Sequence, residues 1–452
     1  MRFRRVLIAN RGEIALRVIR TCEALGIETV LAASEADLDS VPARRADRVI
    51  RIGKAPPSQS YLDWRAVTAA AVGCGADAIH PGYGFLSENA VLARACQDAG
   101  IVFIGASEEQ LGLSGDKWRA RETAVAAGLP VVPGAIVSSP AEARRVVENI
   151  GCPALVKAVG GGGGRGLKRI DAPEQVDSVV DLAIAEAQAA FGDPRVFIER
   201  LVTGGRHVEV QLIGDGERLV QAGERDCSVQ RRYQKLIEET PARGLSEALR
   251  AKLREDALAF GKALRYRGLG TVEFLVDVAR DEFYFLEMNA RIQVEHPITE
   301  AVTGLDLVKE QIAVAEGLPL RLRQGDIRSS GHAIELRINA EDPDADFRPS
   351  PGRIERCLMP AGDGIRVDSH IETGAIVPPF YDSLLAKIVV HAPDRAQAIA
   401  LAQRALANTR IEGVKTNIAM HQAVLADDAF ARGGIGTDWF AGFWQRKNAN
   451  TA

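Results

Sequence analysis

The apolar positions change period several times along this chain, and each change marks an element. "RRVLIAN" (residues 4–10) carries an unbroken apolar run, as a strand buried on both faces does. "GEIALRVIRTCEALG" (12–26) then spaces Ile14, Val18, Cys22 and Leu25 at helical intervals, and "IETVLAAS" (27–34) returns to strand. "ADAIHP" (76–81) and "IVFIG" (101–105) continue the alternation, which predicts a parallel, doubly wound, Rossmann-like sheet over residues 1–113. No G-x-G-x-x-G follows the first strand, so no dinucleotide site is expected there. "SGDKWRARETAVAAGLPVVPG" (114–134) restarts with a capped amphipathic helix, and a smaller unit at about 132–203 follows. Beyond it the period falls to two in "RHVEVQLIG" (206–214), "GTVEFLVD" (270–277), "EFYFLEMN" (282–289) and "HAIELRINA" (332–340), as in sheets with one polar working face. From residue 331 strands such as "LLAKIVVHA" (384–392) mix with a helix in "RAQAIALAQRALANT" (395–409).

Two features of this pattern carry chemistry. "PALVKAVGGGGGRGLKRI" (153–170) places five consecutive glycines between two short apolar strands. Residues 161–166 fit G-x-G-x-x-G by letter, but "LKRI" reads as strand rather than helix, and Gly166 is followed by Leu167, which excludes a P-loop. A strand–glycine–strand hairpin can lay bare backbone N–H groups over phosphates, because glycine permits close approach and positive φ. With Lys157 just upstream, a phosphate-covering lid is favoured over a plain linker. The second feature is "GTVEFLVDVARDEFYFLEMNARIQVEHP" (270–297). A hairpin centred near residue 280 sets Glu273 opposite Glu287, with Asn289 two residues further on the same face. Opposed carboxylates destabilise a sheet unless a cation lies between them, and with an amide oxygen they form a hard ligand set suited to Mg²⁺. The loop after it gathers Arg291, Gln293, Glu295 and His296; upstream, His207, Glu209 and Gln211 share a strand face and "ERDCSVQRRYQKLIEE" (224–239) adds Arg225, Arg231, Arg232 and Lys235. Guanidinium and ammonium groups beside a carboxylate suit oxyanion binding, proton abstraction and phosphoryl transfer.

Composition narrows the class. At 452 residues the chain is too long for a single core, and no apolar run approaches the ~18 residues of a membrane span. A net charge of −4 and 5% aromatic residues argue against a nucleic-acid partner. The six cysteines are scattered and never form C-x-x-C, so neither a zinc ribbon nor a disulfide framework is expected and a cytoplasmic location is the plain reading.

Taken in order, "IANRGEIALRVIR", "HPGYGFLSEN", "VKAVGGGGGRG", "RHVEVQ", "ERDCSVQRR", "EMNARIQVEHPITE", "GHAIELRINAEDP" and "PSPGRI" resemble the biotin carboxylase component of biotin-dependent carboxylases, in the ATP-grasp superfamily, over essentially the whole chain. The resemblance implies a multi-domain α/β and α+β fold: a Rossmann-like N-terminal domain (1–113), an ATP-grasp domain (114–330) with a glycine-rich lid (about 132–203), and a mixed C-terminal biotin carboxylase domain (331–447). It implies that ATP and bicarbonate form carboxyphosphate, whose CO₂ passes to N1 of biotin. By motif match, Lys117, Lys157 and the lid glycines Gly162, Gly163 and Gly164 contact ATP phosphates, Glu199 and Val202 hold adenine, and His207, Gln230 and Tyr233 line the nucleotide site. Glu273, Glu287 and Asn289 bind Mg²⁺ or Mn²⁺, two ions in all; Lys235, Arg291, Gln293 and the Val294 backbone hold bicarbonate; Glu295 is the base; and Arg337 stabilises the biotin enolate. Tyr233 stands where relatives commonly have histidine or asparagine, and Asp363 where an apolar or aromatic residue is common in a region used for dimer contacts.

No Met-Lys-Met is present, so biotin is expected as a substrate on a separate carrier protein. A carboxyltransferase would then act downstream, with acetyl-CoA as the default acceptor and fatty acid synthesis as the setting; a homodimer is implied, with no nucleic-acid or membrane partner. Two other readings use parts of the same residues: an ATP-grasp ligase joining a carboxylate to an amine, and a catalytically silent nucleotide-binding regulator. The first leaves "RIQVEHP" and Arg337 unexplained, and the second leaves a complete catalytic set without use.

Overall fold

The structure, a computed structural model, describes residues 2–159 and 167–449. Strands β1 (Arg5–Ile8), β2 (Glu28–Ser34), β3 (Arg48–Gly53), β4 (Ala78–His80) and β5 (Val102–Phe103) form a parallel sheet in the order β3-β2-β1-β4-β5. Both faces are covered: Val6 and Ile8 enter one apolar cluster, Leu7 and Ala9 another, which is why β1 shows no polar alternation. Helix Gly12–Leu25 stops at Gly26, whose φ of 70° lets its N–H return to the carbonyls of Cys22 and Glu23.

Helix Lys117–Ala126 is capped by Asp116, whose side chain accepts from the Trp118 and Arg119 amides. The amphipathic stripe expected there is narrow, since only Ala120 and Ala124 are buried. Four antiparallel strands follow, β6 (Gly134–Val137), β7 (Ala154–Ala158), β8 (Lys168–Ile170) and β9 (Val196–Arg200), in the order β6-β9-β7-β8. Helices Pro140–Ile150 and Val176–Phe191 cover this small sheet and share a core of its own with Val156, Ile170 and Ile198. The sequence therefore does return to strand at "LKRI". The phosphate-covering role expected of Gly162, Gly163 and Gly164 falls outside the described residues.

The largest sheet has eight strands and ties the centre of the chain to its C-terminal part. β10 (Arg206–Asp215), β11 (Leu219–Arg231), β12 (Gln234–Thr240), β13 (Arg267–Asp277), β14 (Glu282–Asn289) and β15 (His332–Asn339) join strands Ile365–Ser369 and Leu384–Ala392. The order is β14-β13-β10-β11-β12-β15, then Leu384–Ala392 and Ile365–Ser369, with antiparallel pairs throughout. Helix Glu247–Ala263 packs Phe260 against Phe285 (ring centroids 4.9 Å apart), and helix Arg395–Ala407 buries Ala398, Ala402 and Ala405 under the β15 end. No helix among the described residues is long and apolar enough to cross a membrane.

A buried hydrogen-bonded triad fastens this extension. Glu239 on β12 accepts from His332 Nε2 (2.7 Å) and Arg395 Nε (2.6 Å). Burial alone would raise its pKa, but the hydrogen bonds and charge of His332 and Arg395 bring it down to about 2. A carboxyl depressed on folding stabilises the native state above its unfolded pKa and loses that contribution as pH falls through the folded value. Stability should therefore drop by about 3 kcal/mol between pH ~5 and ~2 from this group alone. Acid titrations of thermal stability should show a smaller drop in Glu239→Gln than in the native protein.

Candidate active site

The site is built on one face of the eight-stranded sheet. On β10 the odd positions His207, Glu209 and Gln211 point to it, while Val208, Val210 and Leu212 fill the core behind. Register places Glu209 beside Glu273 of β13 and beside Arg225 of β11. Arg225 is fully buried; its guanidinium donates to Glu209 Oε1 (2.6 Å), Gln211 Oε1 (2.8 Å), Thr299 Oγ1 (3.0 Å) and Thr271 Oγ1 (3.2 Å). With its donors engaged in this way it acts as the rigid floor of the site.

Lys235 Nζ lies at the centre, 2.6 Å from Glu209 Oε2, 2.6 Å from Glu295 Oε1 and 3.1 Å from Glu273 Oε1. Burial opposes its charge, but the surrounding carboxylates and the Cys227 thiol outweigh burial and hold it protonated well above an ordinary lysine. The other oxygen of Glu295 accepts from Arg337 Nη2 at 3.0 Å, and Arg337 Nε donates to Glu238 at 2.6 Å. Glu295 is completely buried, which on its own would favour the acid form; Lys235, Arg337 and Arg225 reverse this and keep it ionised well below the usual carboxylate range. Burial pushes Glu238 the other way, up to about 7, against the pull of Arg337.

The loop carrying Glu295 leaves β14 directly. Arg291 reaches Glu88 of the N-terminal unit at 3.0 Å and donates to Asn289 Oδ1 (3.0 Å) and Gln293 Oε1 (3.1 Å). Gln293 donates to Glu273 at 3.2 Å, and Val294 contributes its carbonyl to Lys387 at 2.8 Å. Lys235, Arg291, Gln293, Glu295 and Arg337, five residues from three separate stretches of sequence, thus converge on one cluster of fixed charge.

The hairpin β13–β14 has the register expected of it, with Glu273 directly opposite Glu287 and a bulge immediately after Glu273. Glu287 pairs with Lys117 Nζ at 3.3 Å; Glu273 accepts from Asn289 Nδ2 at 2.8 Å, and its other oxygen lies 3.0 Å from His207 Nε2. Each carboxylate is therefore matched to a separate cationic or hydrogen-bonding group. Hard oxygen donors on both sides of one hairpin, with Glu287 partly open to solvent, fit Mg²⁺ or Mn²⁺. His207, Glu209 and Glu273 also bring ligand atoms within 4.8 Å of one another, but Lys235 contacts both carboxylates, so an ammonium already serves that position.

Other residues expected to touch nucleotide lie further out. Lys157 and Glu199 form an ion pair on the small four-stranded sheet. Val202 is buried with Val132 and Tyr284. Gln230 donates to His207 Nδ1 (2.7 Å) and to the Cys227 carbonyl (2.7 Å), so these two do join the cluster. Tyr233 does not: it sits on the β11–β12 turn with φ 66° and is 62% exposed. Reading the chain by motif gives no role to Glu238, Glu88, Lys387 or Glu13; the first three touch assigned residues or their loop, and Glu13 pairs with Lys387. The available signal was a charged residue at a position otherwise flanked by core strand residues, as in "LLAKIVV".

Fold and site together define an ATP-dependent ligase of the ATP-grasp class. Residues 2–111 match the family "Biotin carboxylase, N-terminal domain", residues 116–323 "Carbamoyl-phosphate synthase L chain, ATP binding domain", and residues 335–442 "Biotin carboxylase C-terminal domain". The chain belongs to the biotin carboxylase family. It is 47% identical to the biotin carboxylase of Nostoc sp. over 442 residues, covering 97% of this chain and 99% of that one. It is 46% identical to biotin carboxylase 1 of Bacillus subtilis over 437 residues, 96% of this chain and 97% of the relative. Among solved structures, Campylobacter jejuni biotin carboxylase in its β-γ-ATP complex superposes with a TM-score of 0.94 at 44% identity, covering 97% of this chain and 99% of that one. The biotin carboxylase domain dimer of Hydrogenobacter thermophilus 2-oxoglutarate carboxylase, bound to MgADP, ADP and bicarbonate, gives 0.93 at 43% identity, covering 98% of both chains.

Proposed function

We propose that this protein uses ATP and bicarbonate to carboxylate N1 of biotin carried on a separate polypeptide. The observation that supports it most is Glu295, a buried carboxylate held ionised between Lys235 and Arg337. In this reading Lys235, Arg291, Gln293 and the Val294 backbone hold bicarbonate, and Glu295 takes its proton. The bicarbonate oxygen then bonds to the γ-phosphorus as the bond to ADP breaks. Mg²⁺ or Mn²⁺ held by Glu273, Glu287 and Asn289 would supply charge neutralisation at the phosphates. Lys117, Lys157 and the glycine lid (Gly162, Gly163, Gly164) would position the phosphates, Glu199 and Val202 the adenine, and His207 and Gln230 the near side of the nucleotide.

An arriving bicarbonate adds negative charge beside Glu295 and shares its cations, which raises the basicity of a carboxylate that is weakly basic at rest. Carboxyphosphate then splits to CO₂ and phosphate. Since Glu295 has by then taken the bicarbonate proton, this reading assigns the released phosphate as acceptor of the N1 proton. Arg337, a donor fixed by Glu238, would stabilise the resulting enolate-like oxygen.

The partners in this reading are a biotin carboxyl carrier protein and a carboxyltransferase, with acetyl-CoA as acceptor, in the cytoplasm. A homodimer is proposed as well, on the precedent of the Hydrogenobacter domain, which is a dimer. The units 1–113, 114–330 and 331–447 are proposed as its domains. The test is ADP formation by the purified protein with ATP, Mg²⁺ and bicarbonate, with and without excess free biotin. A bicarbonate-dependent rate that rises with biotin supports the reading; turnover that ignores biotin and requires an amine overturns it.

A further inference from the structure

A second buried cation touches the bicarbonate loop. Lys387 lies in strand Leu384–Ala392 directly opposite Arg337 of β15, so the two side chains stand on the same face of the sheet. Like charges at opposed positions destabilise a sheet unless each is matched. Arg337 is matched by Glu238 and Glu295. Lys387, with no exposed side-chain surface, is matched by Glu13 Oε2 at 3.1 Å and donates to the carbonyl of Val294 at 2.8 Å. Glu13, at the start of helix Gly12–Leu25, also accepts from the Tyr83 hydroxyl. Two neighbouring cations therefore hold two consecutive loop residues, Arg337 through the side chain of Glu295 and Lys387 through the backbone of Val294. On the other side of the loop the His296 ring donates from Nδ1 to the Gln293 carbonyl at 2.8 Å.

We propose that Lys387 is a positioning residue for bicarbonate: anchored on Glu13 of the N-terminal unit, it pins the Val294 carbonyl and so fixes the 293–295 backbone that presents the oxyanion site and the base. This rests on the function proposed above. Glu13, with Asp368 opposite on the neighbouring strand, offsets the cost of burying the Lys387 charge, and the contact that the paired ammonium adds to the site is the Val294 carbonyl. Small displacements of reacting groups have large kinetic effects, so loosening this loop should act on bicarbonate rather than on ATP.

Lys387→Met alone strands Glu13 as a buried charge and is open to misfolding. The double variant Glu13→Gln/Lys387→Met removes both charges and leaves Tyr83 a partner. In it, KM for bicarbonate is expected to rise about tenfold while KM for ATP stays within about twofold and the melting temperature stays near that of the native protein. An unchanged bicarbonate KM, or equal rises in both KM values, overturns the proposal. The native protein assayed in parallel separates the two levels: if its turnover ignores bicarbonate, the proposed function fails and this inference falls with it. If the native turnover requires bicarbonate and the variant matches it, only the role of Lys387 is lost.

Discussion

Glu295→Gln is expected to lower bicarbonate-dependent ADP formation by about 10²–10⁴-fold, the usual contribution of a positioned general base. Glutamine keeps the shape of the side chain and one acceptor oxygen, but cannot take a proton from bicarbonate. ATP affinity should be nearly unchanged, because Lys117, Lys157 and Glu199 lie on other elements and make no contact with Glu295. The fold should also survive, since Lys235 retains Glu209 and Glu273, and Arg337 retains Glu238. Equilibrium ATP binding and steady-state turnover on the same preparation check both halves. The pH dependence has a defined sign: the ionised carboxylate is the active form and its pKa is depressed well below 4.5. In the free enzyme this group therefore keeps its charge through the mildly acidic range and loses it only as pH falls further.

Arg337→Ala is expected to lower the biotin-stimulated rate by about 10²–10³-fold, the cost of removing one fixed donor from a developing oxyanion. The biotin-independent release of phosphate from ATP and bicarbonate should fall much less, because Lys235 and Arg291 still face the bicarbonate loop. Measuring carboxybiotin and phosphate in parallel tests this. Equal loss of both products would show that Arg337 serves mainly as a counter-charge to Glu295. Removing it leaves Glu238 buried without its hydrogen-bonded cation, so a lowered melting temperature is expected as well.

How far the site could be read from the chain depends on distance along it. The pairing of Glu273 with Glu287 followed from one hairpin with a short turn, and the structure has that pairing, with a bulge after Glu273 that shifts the register by one towards the turn. Arg291, Gln293 and Glu295 lie in one heptapeptide, so their proximity was implicit. Tyr233, which the motif places with the nucleotide residues, lies exposed on the β11–β12 turn at positive φ, a position that turn conformation rather than strand spacing sets. Glu238 reads as one of two adjacent acids in "IEE", with nothing local to distinguish the partner of Arg337 from the partner of Arg395.

The sequence by itself determined the periods, and with them the parallel N-terminal sheet, the period-two central strands, the metal-suited hairpin and the family. These depend on contacts within a few tens of residues, where side-chain alternation and turn chemistry dominate. Only the tertiary structure decided that β12 and β15 join, making the central and C-terminal parts one eight-stranded sheet, and that Arg225, Lys235, Glu295, Arg337 and Lys387 meet across it. Antiparallel order among distant strands is set by global burial and not by any local pattern. Lys235, Glu295 and Arg337 stay ionised on the shared face because each finds a counter-charge there, whereas burial pushes Glu238 up to about 7.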